Sequence, residues 1–388
     1  MTNFISMFSG AGGLDLGFEQ AGWTRCFASD LDADAVATLR ANTKAQNRAC
    51  IGQDDIRDLT APDVIARAGV ARGDLDAIVG GPPCQSWSSA GHQMGLADER
   101  GQLFRHFIKL ANSLDPRFII MENVRGLLTA RGLDGEPGSA LALLREDLRQ
   151  EGWQTTVSLL NAADYGVAQR RVRLFVIAHR SGDCPTFPEP THSKELSNWR
   201  KPWVTLKQRL SNLTISEDDI IRPTPKLAAQ LAQIKPGSGV KSPGKAEATR
   251  PGGHWGYKQG AFIADPDLPA RTVTASTAQD WIIDEHGLRR LCPRECAALQ
   301  SFPASWKWEG KRASVYRQIG NAVPPKLAKA VASAIADHLT REAPTERVAV
   351  TELAPLDIRL TAAIAYTKRD DARNGESRRA APALRARG

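Results

Sequence analysis

Leu75-Asp76-Ala77-Ile78-Val79-Gly80-Gly81-Pro82-Pro83-Cys84-Gln85-Ser86-Trp87-Ser88-Ser89-Ala90-Gly91 is the stretch on which the fold turns. Residues 75–79 form a short apolar run of the kind that makes a fully buried strand. Two glycines and two prolines then stop the strand and force a tight, rigid turn. In open α/β sheets ligands bind beyond the carboxyl ends of strands, so a thiol at this turn is displayed rather than packed. A cysteine is by default a small buried hydrophobe. The prolines before Cys84 and the polar residues after it fit burial poorly, which makes it a candidate nucleophile.

Strands and helices alternate on both sides of this turn. Phe4–Phe8, Thr24–Ser29, a short run near Ala49–Ile51, Arg117–Met121, Trp153–Leu160 and Val172–His179 read as strands. Helices are expected from about Leu14, over Asp32–Asn42 with Asp32 as N-cap, over Gln102–Leu114 and over Ser139–Glu151. The rhythm argues for βαβ units, an α/β fold with a mostly parallel sheet. From about Ser181 prolines break it, and a separate loop-rich domain is expected over 181–285. Helical periodicity returns at Pro293–Gln300 and Pro324–Leu339, where 286–340 rejoins the first domain, residues 1–180. The remaining Ala/Arg-rich residues, 341–388, read as a basic, flexible tail.

The 388 residues carry 51 Lys and Arg against 43 Asp and Glu, a net charge of +8. That balance favours a polyanionic partner without proving one. Between Arg222 and Gly260 basic residues, glycines and aromatics concentrate, a composition suited to lying along a phosphate backbone. No apolar run approaches the roughly 20 residues that span a bilayer, and the N-terminus lacks a secretory pattern, so a cytoplasmic location is expected. The six cysteines form no regular framework. Cys292 and Cys296 lack the further ligands a structural metal needs, and no metal is expected.

Several strand ends carry groups that belong together. Phe8-Ser9-Gly10-Ala11-Gly12-Gly13 joins the first strand to the first helix, where glycines let the backbone approach a ligand and helix N–H groups stay free. Asp30 follows about 20 residues on, the place of a ribose-binding acid in nucleotide folds. Asp54 or Asp55, after the third strand, is placed to accept from an adenine amino group. Glu122-Asn123-Val124 ends the strand expected beside that of Cys84. Cysteine with glutamate, and no committed histidine, argues against a Cys–His hydrolase. Gln169-Arg170-Arg171-Val172-Arg173 opens the last strand and joins the same edge only if that strand runs antiparallel.

These stretches, with Asp98-Glu99-Arg100-Gly101-Gln102-Leu103-Phe104, Arg294-Glu295-Cys296-Ala297-Ala298-Leu299-Gln300-Ser301-Phe302-Pro303 and Gln318-Ile319-Gly320-Asn321-Ala322-Val323-Pro324-Pro325, closely resemble the DNA (cytosine-5) methyltransferases in order and spacing over about residues 4–340. The resemblance implies a Rossmann-like S-adenosylmethionine-dependent fold with an antiparallel last strand and a smaller target-recognition domain. It implies methyl transfer to cytosine C5 on a flipped-out base in double-stranded DNA, with Cys84 adding to C6, Glu122 on N3 and the exocyclic amine, Arg173 on O2 and Arg171 ordering the site. For S-adenosylmethionine it implies Phe8, Ser9, Gly10, Gly12, Gly13 and Pro83 near the methionine moiety, Asp30 on the ribose, Leu31, Asp55 and Ile56 at the adenine, and Asn321 and Ala322 closing the pocket. Gln85, Ser88 and Arg100, with Lys241, Lys245, Arg250, Lys258 and Arg271 of the middle domain, are the candidate DNA contacts. The resemblance also implies a restriction–modification setting, with a cognate endonuclease as partner and a monomer on DNA. An RNA substrate is the rival within the same chemistry, and a dehydrogenase the rival on the same fold.

Overall fold

The computed structural model describes residues 2–83, 102–132, 134–180, 185–195, 199–241, 260–341 and 350–380. Cys84, Gln85, Ser88, Arg100, Lys245, Arg250 and Lys258 lie outside the described residues.

The larger sheet holds β1 (Asn3–Met7), β2 (Thr24–Asp30), β3 (Ile51–Gln53), β4 (Ala77–Gly80), β5 (Phe118–Val124), β6 (Gln154–Asn161) and β7 (Val172–His179). Its order is β3-β2-β1-β4-β5-β7-β6, and β7 runs antiparallel to both neighbours. β4 is buried along its whole length, as the apolar run before the Pro-Pro turn requires. The chain reverses its direction of winding between β1 and β4, whose last residues, Met7 and Gly80, are register partners. The glycine-rich turn and the Gly81–Pro83 turn therefore leave the sheet side by side, at the switch point where open α/β sheets bind ligands.

Helices cover both faces. α1 (Gly13–Gln20) lies against the long α10 (Pro325–Arg341) on one side. The two pack so closely that a Cβ on Gly17 would come within 2.3 Å of the Ala328 methyl. α2 (Ala33–Ala41) is capped by Asp32, whose carboxylate accepts from the amides of Asp34 and Ala35. α3 (Ala61–Ala68), α4 (Gln102–Leu114) and α5 (Ser139–Gln150) follow. Their apolar residues, Val64, Phe107, Leu114 and Leu148 among them, join Ile78 and Ile119 in the principal core.

The middle segment contains a short parallel pair, β8 (His192–Ser193) with β9 (Lys201–Pro202), and α6 (Leu206–Leu210) and α7 (Pro225–Leu231). A four-stranded sheet, β10 (Ser238–Gly239), β11 (Phe262–Ile263), β12 (Trp281–Asp284) and β13 (Gly287–Arg290), completes it. The expected boundary at 285 falls inside the β12–β13 hairpin, whose antiparallel pairing runs from Trp281↔Arg290 to Asp284↔Gly287. α8 (Pro293–Leu299) and α9 (Arg312–Asn321) share one apolar cluster with Leu206, Ala264, Val273 and Ile282. Residues 286–321 thus pack with the middle segment and not only with the first domain. Cys292 is the N-cap residue of α8, its amide donating 2.9 Å to the Glu295 carboxylate. Among the described residues no cluster of side chains could hold a metal, and no helix is long and apolar enough to cross a membrane.

The C-terminal segment differs most from the sequence expectation. Residues 358–380 form a helix, α11 (Ile358–Ala380), and the stretch before it is strapped to the edge strand β6. Gln154 accepts from the Ala354 amide at 3.1 Å and donates to the Glu352 carbonyl at 3.1 Å. Leu360 is buried in the principal core, with Leu356, Ala363 and Ile364 packed around it. Arg131 pairs with Asp371, and Lys368 with Glu136 at 3.2 Å. An apolar stripe spaced four, seven and eight residues from Leu356 explains the docking, which the Ala/Arg-rich composition conceals.

Candidate active site

Phe8, Gly10 and Gly12 have φ of 53°, 54° and 81°, so the chain leaves β1 in a left-handed path that glycine tolerates best. Ser9 is pinned below it, its hydroxyl 3.0 Å from that of Ser6. Gly12 caps α1, and the first-turn amides of a helix have no acceptor within it, so they stay available to a ligand. A Cβ at Gly13 would lie 2.3 Å from the Val323 carbonyl and 3.1 Å from the Ala322 methyl. The glycines therefore bring Asn321-Ala322-Val323 back against the first turn, as expected for two chain ends meeting at one pocket. Asn321 is exposed at the end of α9.

Asp30 ends β2, and its two carboxylate oxygens accept the Gly10 amide at 2.7 Å and the Asp32 amide at 2.8 Å. Burial raises its pKa against the effect of those amides. Leu31 beside it is 63% exposed at the end of β2. Asp54 and Asp55 have different partners. Asp54 accepts from Ser29 Oγ at 3.0 Å and pairs with Arg67 at 3.0 Å. Asp55 stands at the strand edge with Arg57, which lowers its pKa, and Ile56 is buried beneath. The residues present fit a nucleoside with a charged amino-acid tail: backbone amides at the glycine-rich turn, a carboxylate at the end of β2 and an exposed leucine beside it.

Glu122, Arg173 and the Gly81–Pro83 turn form the second half of the site. Because β7 is antiparallel, Arg173 enters the sheet opposite Val124, and its Nε lies 3.0 Å from Glu122 Oε1. Burial raises the Glu122 pKa although Arg173 and Arg171 pull it down. A Cβ on Gly81 would lie 3.2 Å from Glu122 Oε2, so the carboxylate sits directly under the turn. Asn123 donates 2.9 Å to the Pro82 carbonyl and locks the turn to β5, a tie not foreseen from the sequence. Pro83, partly buried, is the last described residue before Cys84.

Arg171, grouped with the catalytic residues and expected to order the site, reaches the backbone of distant segments. It is buried, and its guanidinium donates to the Val273 carbonyl at 3.1 Å and the Gly320 carbonyl at 2.7 Å. It is a positioning residue that ties the start of β7 to the middle segment and to α9. Gln169, fully buried, does the same work, accepting from the Val273 amide at 2.9 Å and donating to Gln300 at 3.1 Å. Arg271, expected on DNA, instead makes a two-pronged pair with Asp280 at 2.7 and 3.0 Å and lies over the Phe262 ring. Its guanidinium is engaged in holding the middle segment together. Lys241 is exposed, its stem beside Gly260.

Comparison with known proteins agrees with this geometry. The family model described as C-5 cytosine-specific DNA methylase matches residues 2–337. The chain is 32% identical to the type II methyltransferase M.FnuDI of Fusobacterium nucleatum over 355 residues, 87% of this chain and 94% of that protein. It is 33% identical to M.NgoPII of Neisseria gonorrhoeae, covering 87% of this chain and 96% of that one. Among solved structures, a putative DNA modification methyltransferase encoded within an E. coli prophage superposes with a TM-score of 0.62 at 23% identity, covering 88% of this chain and all of the other. The Schizosaccharomyces pombe Dnmt2 methyltransferase gives 0.60 at 17%, covering 88% and 100%. The match over residues 2–337 and the relatives at 32–33% identity show that the chain belongs to the C-5 cytosine-specific DNA methylase family and is a DNA (cytosine-5) methyltransferase.

Proposed function

We propose that the protein transfers a methyl group from S-adenosylmethionine to C5 of one cytosine within a specific double-stranded DNA sequence, through a covalent bond between Cys84 and C6 of a flipped-out base. The observation that carries the reading is the Glu122–Arg173 pair under the Gly81–Pro83 turn, one peptide bond before Cys84.

Cytosine C5 is a weak nucleophile, and addition of a thiolate at C6 makes it enamine-like. Cys84 supplies the thiolate. Glu122, with a pKa lifted by burial, is suited to hold a proton at N3 and so stabilise the charge that develops as sulfur attacks. Arg173 keeps that carboxyl oriented and is the residue suited to meet O2 of the base. S-adenosylmethionine, when bound, supplies an electrophilic methyl group. Gly10, Gly12, Gly13, Asp30, Leu31, Asp55 and Ala322 are the residues suited to hold it. After methylation, loss of the C5 proton and elimination of the thiolate restore the aromatic base and free Cys84. Unstacking the target costs roughly a few kcal/mol, offset by contacts to the flipped base.

The named relatives are type II methyltransferases, which supports a restriction–modification setting with a partner endonuclease; action as a monomer on DNA in the cytoplasm is part of the same proposal. The test is transfer of labelled methyl from S-adenosylmethionine into duplex DNA, single-stranded DNA and tRNA. The reading predicts label in duplex DNA as 5-methylcytosine at one recurring sequence, located by bisulfite sequencing. Label confined to tRNA would reject it.

A further inference from the structure

Arg125 follows Glu122-Asn123-Val124 directly, at the catalytic edge of the sheet. Val124 is the register partner of Arg173, so Arg125 is the first residue to leave β5 beside the Glu122–Arg173 pair. It opens a tight helical turn over residues 125–129. Leu127 and Leu128, at 2% and 0% exposure, nail that turn into the core, and α11 packs on its far side. Gly126 on the outer side is exposed. The backbone that carries Arg125 is thus fixed while the turn faces solvent.

The guanidinium itself is partly buried, and among the described residues no carboxylate, carbonyl or ring engages it. Desolvation lowers its pKa. The neighbouring arginines behave differently: Arg173 is held by Glu122, Arg171 by two carbonyls and Arg271 by Asp280. Removing a cation from water without a counter-charge is costly, and such groups in folded proteins ordinarily have a partner. A guanidinium carried on a fixed turn at this edge, and unmatched among the described residues, has an anion as its natural partner in a site for a polyanion. Two residues, Asn123 and Val124, separate it from Glu122, and three extended residue steps span about 10 Å. That is comparable to the distance from the pyrimidine edge of a nucleotide to its own backbone phosphate.

We propose that Arg125 binds a backbone phosphate of the target strand next to the cytosine being methylated, and so positions the nucleotide whose base Glu122 receives. A planar fork suits two oxygens of one phosphate, and the contact reads no sequence. The proposal rests on the reading of the site as one for duplex DNA.

The test is a cycle between Arg125→Gln and duplexes in which single target-strand phosphates are replaced by neutral methylphosphonates, with dissociation constants measured over a range of salt. Arg125→Gln should weaken DNA binding about tenfold at low salt, the order of one charge-assisted contact. It should reduce the slope of log K against log salt by about one. At one phosphate flanking the target, the methylphosphonate should cost the wild type the same factor and cost the variant nothing further. Unaltered S-adenosylmethionine affinity would show that the variant is folded. Costs that simply add at every phosphate, or a variant with wild-type affinity and slope, would overturn the proposal. Wild-type protein that methylates no DNA would remove the underlying reading, and this one with it.

Discussion

Arg173 Nε and Glu122 Oε1 face each other at 3.0 Å across antiparallel strands, and that relationship exists only because β7 enters the sheet against its neighbours. Had β7 been parallel, its first residues would have lain at the opposite edge. The antiparallel strand is thus what brings an arginine to a carboxylate that parallel strands alone had placed beside the Cys84 turn.

Glu122→Gln keeps the shape of this side chain and removes its titration. Turnover should fall about 10²–10⁴-fold, the contribution of a general acid or base, while S-adenosylmethionine binding is unaltered. Single-turnover methylation with isothermal titration of the cofactor checks both. A variant as active as wild type would take Glu122 out of the chemistry.

Asp30→Ala removes the acceptor of the Gly10 and Asp32 amides together with the group expected on the ribose. Cofactor affinity should drop about tenfold or more, as for the loss of a hydrogen bond to a charged group. Titration of S-adenosylmethionine into the variant measures it, and unchanged affinity would remove Asp30 from the site.

Leu360→Ala tests the docking of α11. Truncating a buried leucine should cost about 2–5 kcal/mol, read as a lower Tm and as earlier proteolytic release of the C-terminal segment. A loosely attached tail would leave Tm unaltered.

Asp15 predicts a pH dependence. It lies in the first turn of α1, fully buried, with Ser6 Oγ at 3.0 Å and Arg25 at 3.3 Å. Burial raises its pKa above 3.8 despite Arg25 and Ser6, so the native state holds the proton more tightly than the unfolded chain. Between about pH 4 and the raised value the folded protein binds more protons, so stability is greatest below that window and falls as pH rises through it. Asp15→Asn should flatten this part of the curve of unfolding free energy against pH. A slope identical to wild type would assign it to other groups.

Much of the molecule is legible in the chain, for identifiable reasons. Val172–His179 and Gln102–Leu114 match their sequence readings residue for residue, because strong apolar periodicity and clear stops define their ends. The strand-end motifs fall together because parallel topology sends successive carboxyl ends to one edge. What a side chain is tied to is harder to read. Arg171 and Arg173 have the same chemistry and sit two residues apart, yet one holds backbone carbonyls of distant segments and the other the Glu122 carboxylate. Only the register of β7 and the return of Gly320 distinguish them. Gly320 is tight for the same reason, since a Cβ there would lie 2.3 Å from the Thr274 backbone. The helix α11 was hidden because its apolar stripe is sparse and its composition resembles that of a solvated tail.

The central claim is that Cys84 attacks cytosine C6, and its most direct test is a covalent complex. Duplex DNA carrying 5-fluorocytosine at the mapped target lacks a removable C5 proton, so elimination of the thiolate is blocked after methyl transfer. Intact mass measurement should find a DNA–protein adduct with wild type and S-adenosylmethionine, with the crosslinked peptide containing Cys84, and none with Cys84→Ser. An adduct formed equally by Cys84→Ser, or wild type that methylates the natural duplex yet forms no adduct, would contradict the account.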